Sequence, residues 1–123
     1  MLTKPDYAAI LEEAHAAARE AVAAEGPENM MALNCGFAWA TISGTEPLAR
    51  FCRSKRREAH GDPYAANLAA NAYGEKHWQK GWMWWNPGGF TGQQVQHKEA
   101  GARAFRDALA KHGIVATVGS RLD

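Results

Sequence analysis

Apolar residues recur at helical spacing through the first part of the chain. Tyr7, Ile10, Leu11, Ala14, Ala18, Ala21 and Val22 form one stripe, the pattern of an amphipathic helix with a single buried side. It predicts a helix over 3–25, capped by Thr3 with Asp6 three positions on and stopped by Gly26-Pro27. The period then changes to two. Over 30–43, Met31, Leu33, Cys35, Phe37 and Trp39 alternate with Asn34, Gly36, Ala38 and Ala40. This predicts a strand with one heavily apolar side. The small residues opposite leave room for another element to pack closely.

Thr45-Glu46-Pro47 opens a second helix, with Leu48, Phe51 and Cys52 inward and His60-Gly61 at its end. Asp62-Pro63 caps a short third helix from Tyr64 to Tyr73, ended by Gly74. Gly81 to Trp85 alternates again as a second strand, with Trp82 and Trp84 on one face and Met83 and Trp85 on the other. Asn86-Pro87-Gly88-Gly89 is a strong turn. Thr91, with Gln94 in the capping-box position, starts a fourth helix whose core face is Val95, Ala102, Phe105 and Leu109. Gly113 ends it, and Ile114 to Val118 is the third strand. The order α-β-α-α-β-α-β predicts an α+β fold in one domain over 1–123: a small three-stranded sheet covered by helices. The last helix would be a right-handed crossover joining parallel strands two and three. The exposed edges of such a sheet favour a homo-oligomer.

Composition narrows the partners. The formal charge is +1 with a pI of about 7.8, which argues against duplex nucleic acid as a partner. Cys35 and Cys52 are too few for a disulfide scaffold or a four-thiolate zinc site and suit a reducing cytoplasm. Glu12, Glu13, Arg19 and Glu20 interrupt any signal-peptide core, and no run reaches membrane-spanning length, so a cytoplasmic location without a membrane is expected.

Four of the five tryptophans fall between Trp78 and Trp85. One small domain cannot easily bury so many indoles from one segment, so some should line a pocket, a groove or a subunit interface. The candidate site is an aromatic platform of Trp82, Trp84, Trp85 and Phe90, with Asn86, Gly88 and Gly89 shaping a loop that a ligand approaches closely. Thr91 would present the N-terminus of the next helix to an anion. Arg50 and Arg53, from the basic stretch Arg50–Arg57, and Arg121 would meet phosphate.

Nothing in the sequence argues for catalysis. His15, His60, His77, His97 and His112 show no metal-binding spacing, and no HExxH is present. Ser43 and Ser120 lack a nucleophile-elbow context. Cys35 and Cys52 read as buried small hydrophobes. A non-enzymatic protein without metal or cofactor is expected.

The stretches Gly81-Trp82-Met83-Trp84-Trp85-Asn86-Pro87-Gly88-Gly89-Phe90, Glu99-Ala100-Gly101-Ala102-Arg103-Ala104-Phe105 and Val118-Gly119-Ser120-Arg121-Leu122-Asp123 resemble small α+β proteins of phages and prophages. In size and layout the chain is similar to anti-defence sponge proteins of the Thoeris-inhibiting kind. That resemblance implies an oligomer in the host cytoplasm that sequesters a cyclic nucleotide-derived signal and so counteracts host defence. Three alternatives stand beside it: a protein–protein inhibitor such as an anti-CRISPR, which acts on a host defence protein; a single-stranded nucleic-acid binder; and a small enzyme acting on a nucleotide.

Overall fold

The computed structural model describes residues 5–28 and 34–123. The elements run α1 (Tyr7–Ala24), β1 (Gly36–Ile42), α2 (Pro47–Glu58), α3 (Pro63–Tyr73), β2 (Glu75–Lys76), β3 (Trp82–Trp85), α4 (Val95–Ala110) and β4 (Ala116–Leu122). The α+β class expected from the sequence is observed. The sheet, however, has four strands in the order β2-β3-β1-β4, and every neighbouring pair is antiparallel. The additional strand, β2, is two residues long, too short for any periodicity to reveal.

The common direction expected of the last two strands is observed, although the two are not neighbours. β3 and β4 run in the same direction, as a helical crossover requires, but β1 lies between them and is antiparallel to both. From β3 onward the chain therefore traces a split β-α-β unit, with β1 between its two strands, α2 and α3 in the connection from β1 to β2, and α1 in front.

Local chemistry explains the element ends. Asp6 Oδ1 accepts from the Ala9 amide at 3.0 Å and starts α1, a capping role; the cap expected at Thr3 lies outside the described residues. Asp62 Oδ1 accepts from the Tyr64 and Ala65 amides, Pro63 occupies the first turn, and Gly74 at φ 76° closes α3. The last turn of α2 carries Lys55, Arg56 and Arg57, where cations complement the helix dipole. The Arg56 Nη1 donates to the Gly74 carbonyl at 2.6 Å, holding the end of α3 against α2.

All four helices contribute to one side of the sheet. The core joins Ile10, Leu11, Ala14 and Ala18 of α1, Leu48 and Cys52 of α2, and Phe105 and Leu109 of α4 to Ala40, Ile42, Trp82, Trp84 and Ala116 of the sheet. The register makes these sheet residues one face, since Ala40 pairs with Trp84 and Ile42 with both Trp82 and Ala116.

The face chosen by β1 is the reverse of the one its apolarity suggests. Ala38, Ala40 and Ile42 are buried under the helices, whereas Phe37, Trp39 and Thr41 are only partly covered on the other side. Small residues let α4 come down close to the strand, and the bulk for this part of the core comes from Phe105 and Leu109 instead. Of the strand residues expected upstream, Met31 and Leu33 lie outside the described residues. No helix among the described residues is long and apolar enough to cross a membrane.

Candidate functional site

The uncovered face of the sheet carries a cluster of aromatic rings. Trp39 of β1 is directly opposite Trp85 of β3 in the ladder. Their indoles are stacked, with centroids 5.5 Å apart and planes 3° from parallel. Phe37 packs on Trp85 at 5.3 Å, and Trp78 meets Trp39 edge-on at 5.0 Å. Trp78 comes from the β2–β3 loop, where it stacks on His77 at 4.1 Å. The loop is shaped by the His77 ring: its Nδ1 accepts from the Gln79 amide at 2.9 Å and faces the Lys80 amide at 3.3 Å. Trp78 remains 54% exposed and Trp85 36%. Adjacent exposed aromatics of this size make this face a candidate interaction surface.

Cations sit at the Phe37 end of this face. Arg121, opposite Phe37 in the β1–β4 ladder, holds its guanidinium 5.6 Å from the ring centre. Lys98 Nζ lies 4.9 Å from the same ring and donates to the Gly36 carbonyl at 2.8 Å. Arg121 is thus one aromatic ring, Phe37, away from Trp85.

Where β3 ends, a groove of about 660 Å³ opens between α1, α3 and the turn after Trp85. Trp85, Asn86, Gly88 and Gly89 line it together with His15, Arg19 and Asn71. Its walls are tied by His15, whose Nδ1 is 3.1 Å from the Pro87 carbonyl and whose Nε2 is 3.0 Å from the Ala72 carbonyl. Two carbonyls can only accept, so both bonds form together when the ring carries both protons. Asn86 takes φ 49° to make the turn, donates Nδ2 to the Phe90 carbonyl at 2.8 Å, and has a buried Oδ1 without a partner among the described residues. Gly88 presses against α1 and α4: a Cβ there would come within 2.6 Å of Val22 Cγ2 and 3.1 Å of the Ala18 carbonyl.

The structure separates the remaining candidates. Trp82 and Trp84 point into the core at 7% and 1% exposure. Their indole N–H groups donate to the carbonyls of Tyr73 at 2.7 Å and Ala72 at 3.2 Å, and Trp84 also packs on Phe105. They are corrected to structural residues, because period two puts them on the face the helices cover. Phe90 stacks on His97 at 4.3 Å, away from the sheet platform. Arg53 lies over the Trp82 ring at 5.8 Å on the helix side, and Arg50 is exposed on α2. Neither joins the open face.

Thr91 does not cap α4. The helix begins at Val95, and Glu28 Oε1 accepts from the Gln93 amide at 2.7 Å and the Gln94 amide at 2.9 Å. These two bonds hold the Glu28 carboxyl below the ordinary glutamate range. The helix start proposed for phosphate is therefore occupied by a carboxylate of the chain itself. No group of three metal-ligating side chains occurs among the described residues.

Phe37, Trp39 and Trp78 are the platform members absent from the site residues named from the sequence, although Trp78 belongs to the tryptophan cluster noted there. The usable signal was the alternation itself, which puts Phe37 and Trp39 on one side and only small residues on the other. Compared with protein-family models, curated proteins and solved structures, the chain matches none, so the site rests on its own geometry.

Proposed function

We propose that the protein is a non-enzymatic binder of a nucleotide-type ligand, whose base stacks on the open sheet face at Trp85 and Trp78 while Arg121 meets phosphate. The observation that supports this is the placement of four aromatic rings, Phe37, Trp39, Trp78 and Trp85, on the face of the sheet that no helix among the described residues covers. Stacking on an aromatic side chain contributes about 1–3 kcal/mol per base. Capture of a cyclic nucleotide-derived signal, the role implied by the resemblance to anti-defence sponges, uses this same chemistry.

A single strand of nucleic acid is the second reading, favoured by one feature. Of the four rings only Trp85 also lines the groove; the rest lie outside it on the open face, and several aromatic rings on an open sheet accommodate successive bases.

Calorimetric titration with mono-, di- and cyclic nucleotides, followed by short oligonucleotides, tests both. Selective binding of a nucleotide recovered unchanged supports the first reading, and Trp85→Ala then weakens it roughly 5- to 150-fold, the equivalent of one stacked base. Binding of oligonucleotides alone, falling steeply with salt, moves the assignment to the second. Full affinity in both Trp85→Ala and Arg121→Ala overturns the site.

A further inference from the structure

The two edges of the sheet are not alike. β2 is short, a common way of blunting an edge. β4 ends the other side with seven residues, and no described residue pairs with its outer rim. We propose that this rim pairs, antiparallel, with the same rim of a second copy of the chain, joining two sheets into one.

The hydrogen-bonding parity suits that pairing. The Asp123 amide donates to the Cys35 carbonyl at 2.9 Å, and the register continues from Gly36–Leu122 to Ile42–Ala116. In an antiparallel ladder alternate residues turn their main-chain groups inward. Arg121, Gly119 and Thr117 therefore bond to β1, whereas Leu122, Ser120, Val118 and Ala116 aim N–H and C=O at solvent. A twofold axis through Gly119 sets Ser120 against the partner's Val118 and Leu122 against the partner's Ala116. Every outward amide then meets an outward carbonyl, over the full length of the strand.

The rim carries none of the usual guards: β4 has no proline or lysine. Its one charge, Arg121, reaches over Phe37 instead. Val115, just before the strand, and Leu122, at its end, are 77% and 68% exposed, and the same axis covers both.

Charge supports a second copy as the occupant. α4 runs antiparallel to β4, with Glu99 accepting from Ser120 Oγ at 3.1 Å and Leu109 accepting from the Ile114 amide. Glu99, Arg103 and Arg106 share one flank of α4 by i, i+4, i+7 spacing, and Glu99 marks that flank as the one above β4. Rotation about Gly119 places Glu99 of each copy opposite Arg103 of the other. The joined sheet also sets two aromatic faces side by side on one surface. The pairing does not depend on the identity of any ligand.

Light scattering coupled to size exclusion, across a concentration series, tests it on the full chain. The expected result is a dimer for the wild type and for Ser120→Ala. Ser120→Pro, which removes an outward N–H and no bond to β1, is expected to run as a folded monomer. Single charge reversals, Glu99→Arg and Arg103→Glu, set like charges across the axis and weaken the dimer; combining them restores it. A wild type that is monomeric throughout overturns the proposal, and so does a dimer that survives Ser120→Pro. If Ser120→Pro fails to fold, the charge series decides: single reversals without effect, or a double reversal that does not rescue, overturn it equally. Nucleotide binding measured on the charge-reversal variants stays separate, since Glu99 and Arg103 lie on α4 and leave Trp85 and Arg121 unchanged.

Discussion

Trp39 lies flat over Gly119. A Cβ built on the glycine would come within 2.5 Å of the indole, so the absence of a side chain on β4 is what lets the ring lie down on the sheet and stack on Trp85. Gly119→Val is expected to lift Trp39 and separate the two indoles. Circular dichroism should lose the exciton signature of the stacked pair, at a stability cost of about 1–3 kcal/mol for overfilling the site. An unchanged spectrum in a folded variant would contradict this role for Gly119.

Trp84 and Trp85 are adjacent in sequence and opposite in consequence. Trp84→Ala empties a fully buried site against Phe105 and is expected to cost about 3–5 kcal/mol. Trp85→Ala trims a partly exposed ring and should shift the urea midpoint far less. Equal destabilisation by the two changes would mean that the open face is part of the core.

Glu28 should give the protein a stability contribution that depends on acid. Its folded carboxyl is held below the ordinary 4.5 by the amides of Gln94 and Gln93. A depressed carboxyl stabilises the fold fully above the unfolded value, and this contribution disappears as pH falls through the folded one. Glu28→Gln should lower the thermal midpoint at neutral pH and flatten its dependence below pH 4.5. The same change should speed exchange of the Gln93 and Gln94 amides, read by mass spectrometry. Parallel pH profiles for variant and wild type would exclude the cap.

The two cysteines should react in order. Burial pushes the Cys52 thiol up to about 12, so at neutral pH it is both protonated and enclosed. Cys35 is partly exposed, with its Sγ 3.6 Å from Gln93 Oε1. Iodoacetamide should label Cys35 in the native protein and reach Cys52 only on unfolding. Peptide mapping that finds Cys52 labelled first would show that α2 opens readily.

Elements bounded by local chemistry were legible in the sequence. Asp62-Pro63 and Gly74 mark α3 because a cap and a left-handed terminus are properties of a few adjacent residues. What failed depended on distant residues. Thr91 has the chemistry of a cap, but α4 starts later, at Val95, and the Gln93 and Gln94 amides just before it are taken by Glu28, which lies far away in the chain, after α1. β1 was read correctly as a strand with two unlike faces, yet apolarity does not say which face a helix will choose. Here close approach over Ala38 and Ala40 won, and Phe37 and Trp39 were left outside. Trp82, Trp84 and Trp85 were grouped by composition; alternation assigns the first two to the core and the third to the candidate site. Arg121 joined the platform because the register brings it opposite Phe37, a pairing no local pattern contains.

The central position of β1 also has a kinetic side. Ile42 must wait for Trp82 and Gly36 for Leu122, so the strand in the middle of the sheet has no neighbour close to it in the chain. Closing such long loops before any contact forms slows folding. Until then Gly36–Ile42 is a seven-residue β-forming stretch with neither charge nor proline, the composition most prone to pair with other chains. The strand that carries half of the aromatic platform is thus also the segment expected to drive aggregation of a nascent or refolding chain, and refolding yield is expected to rise on rapid dilution to low concentration.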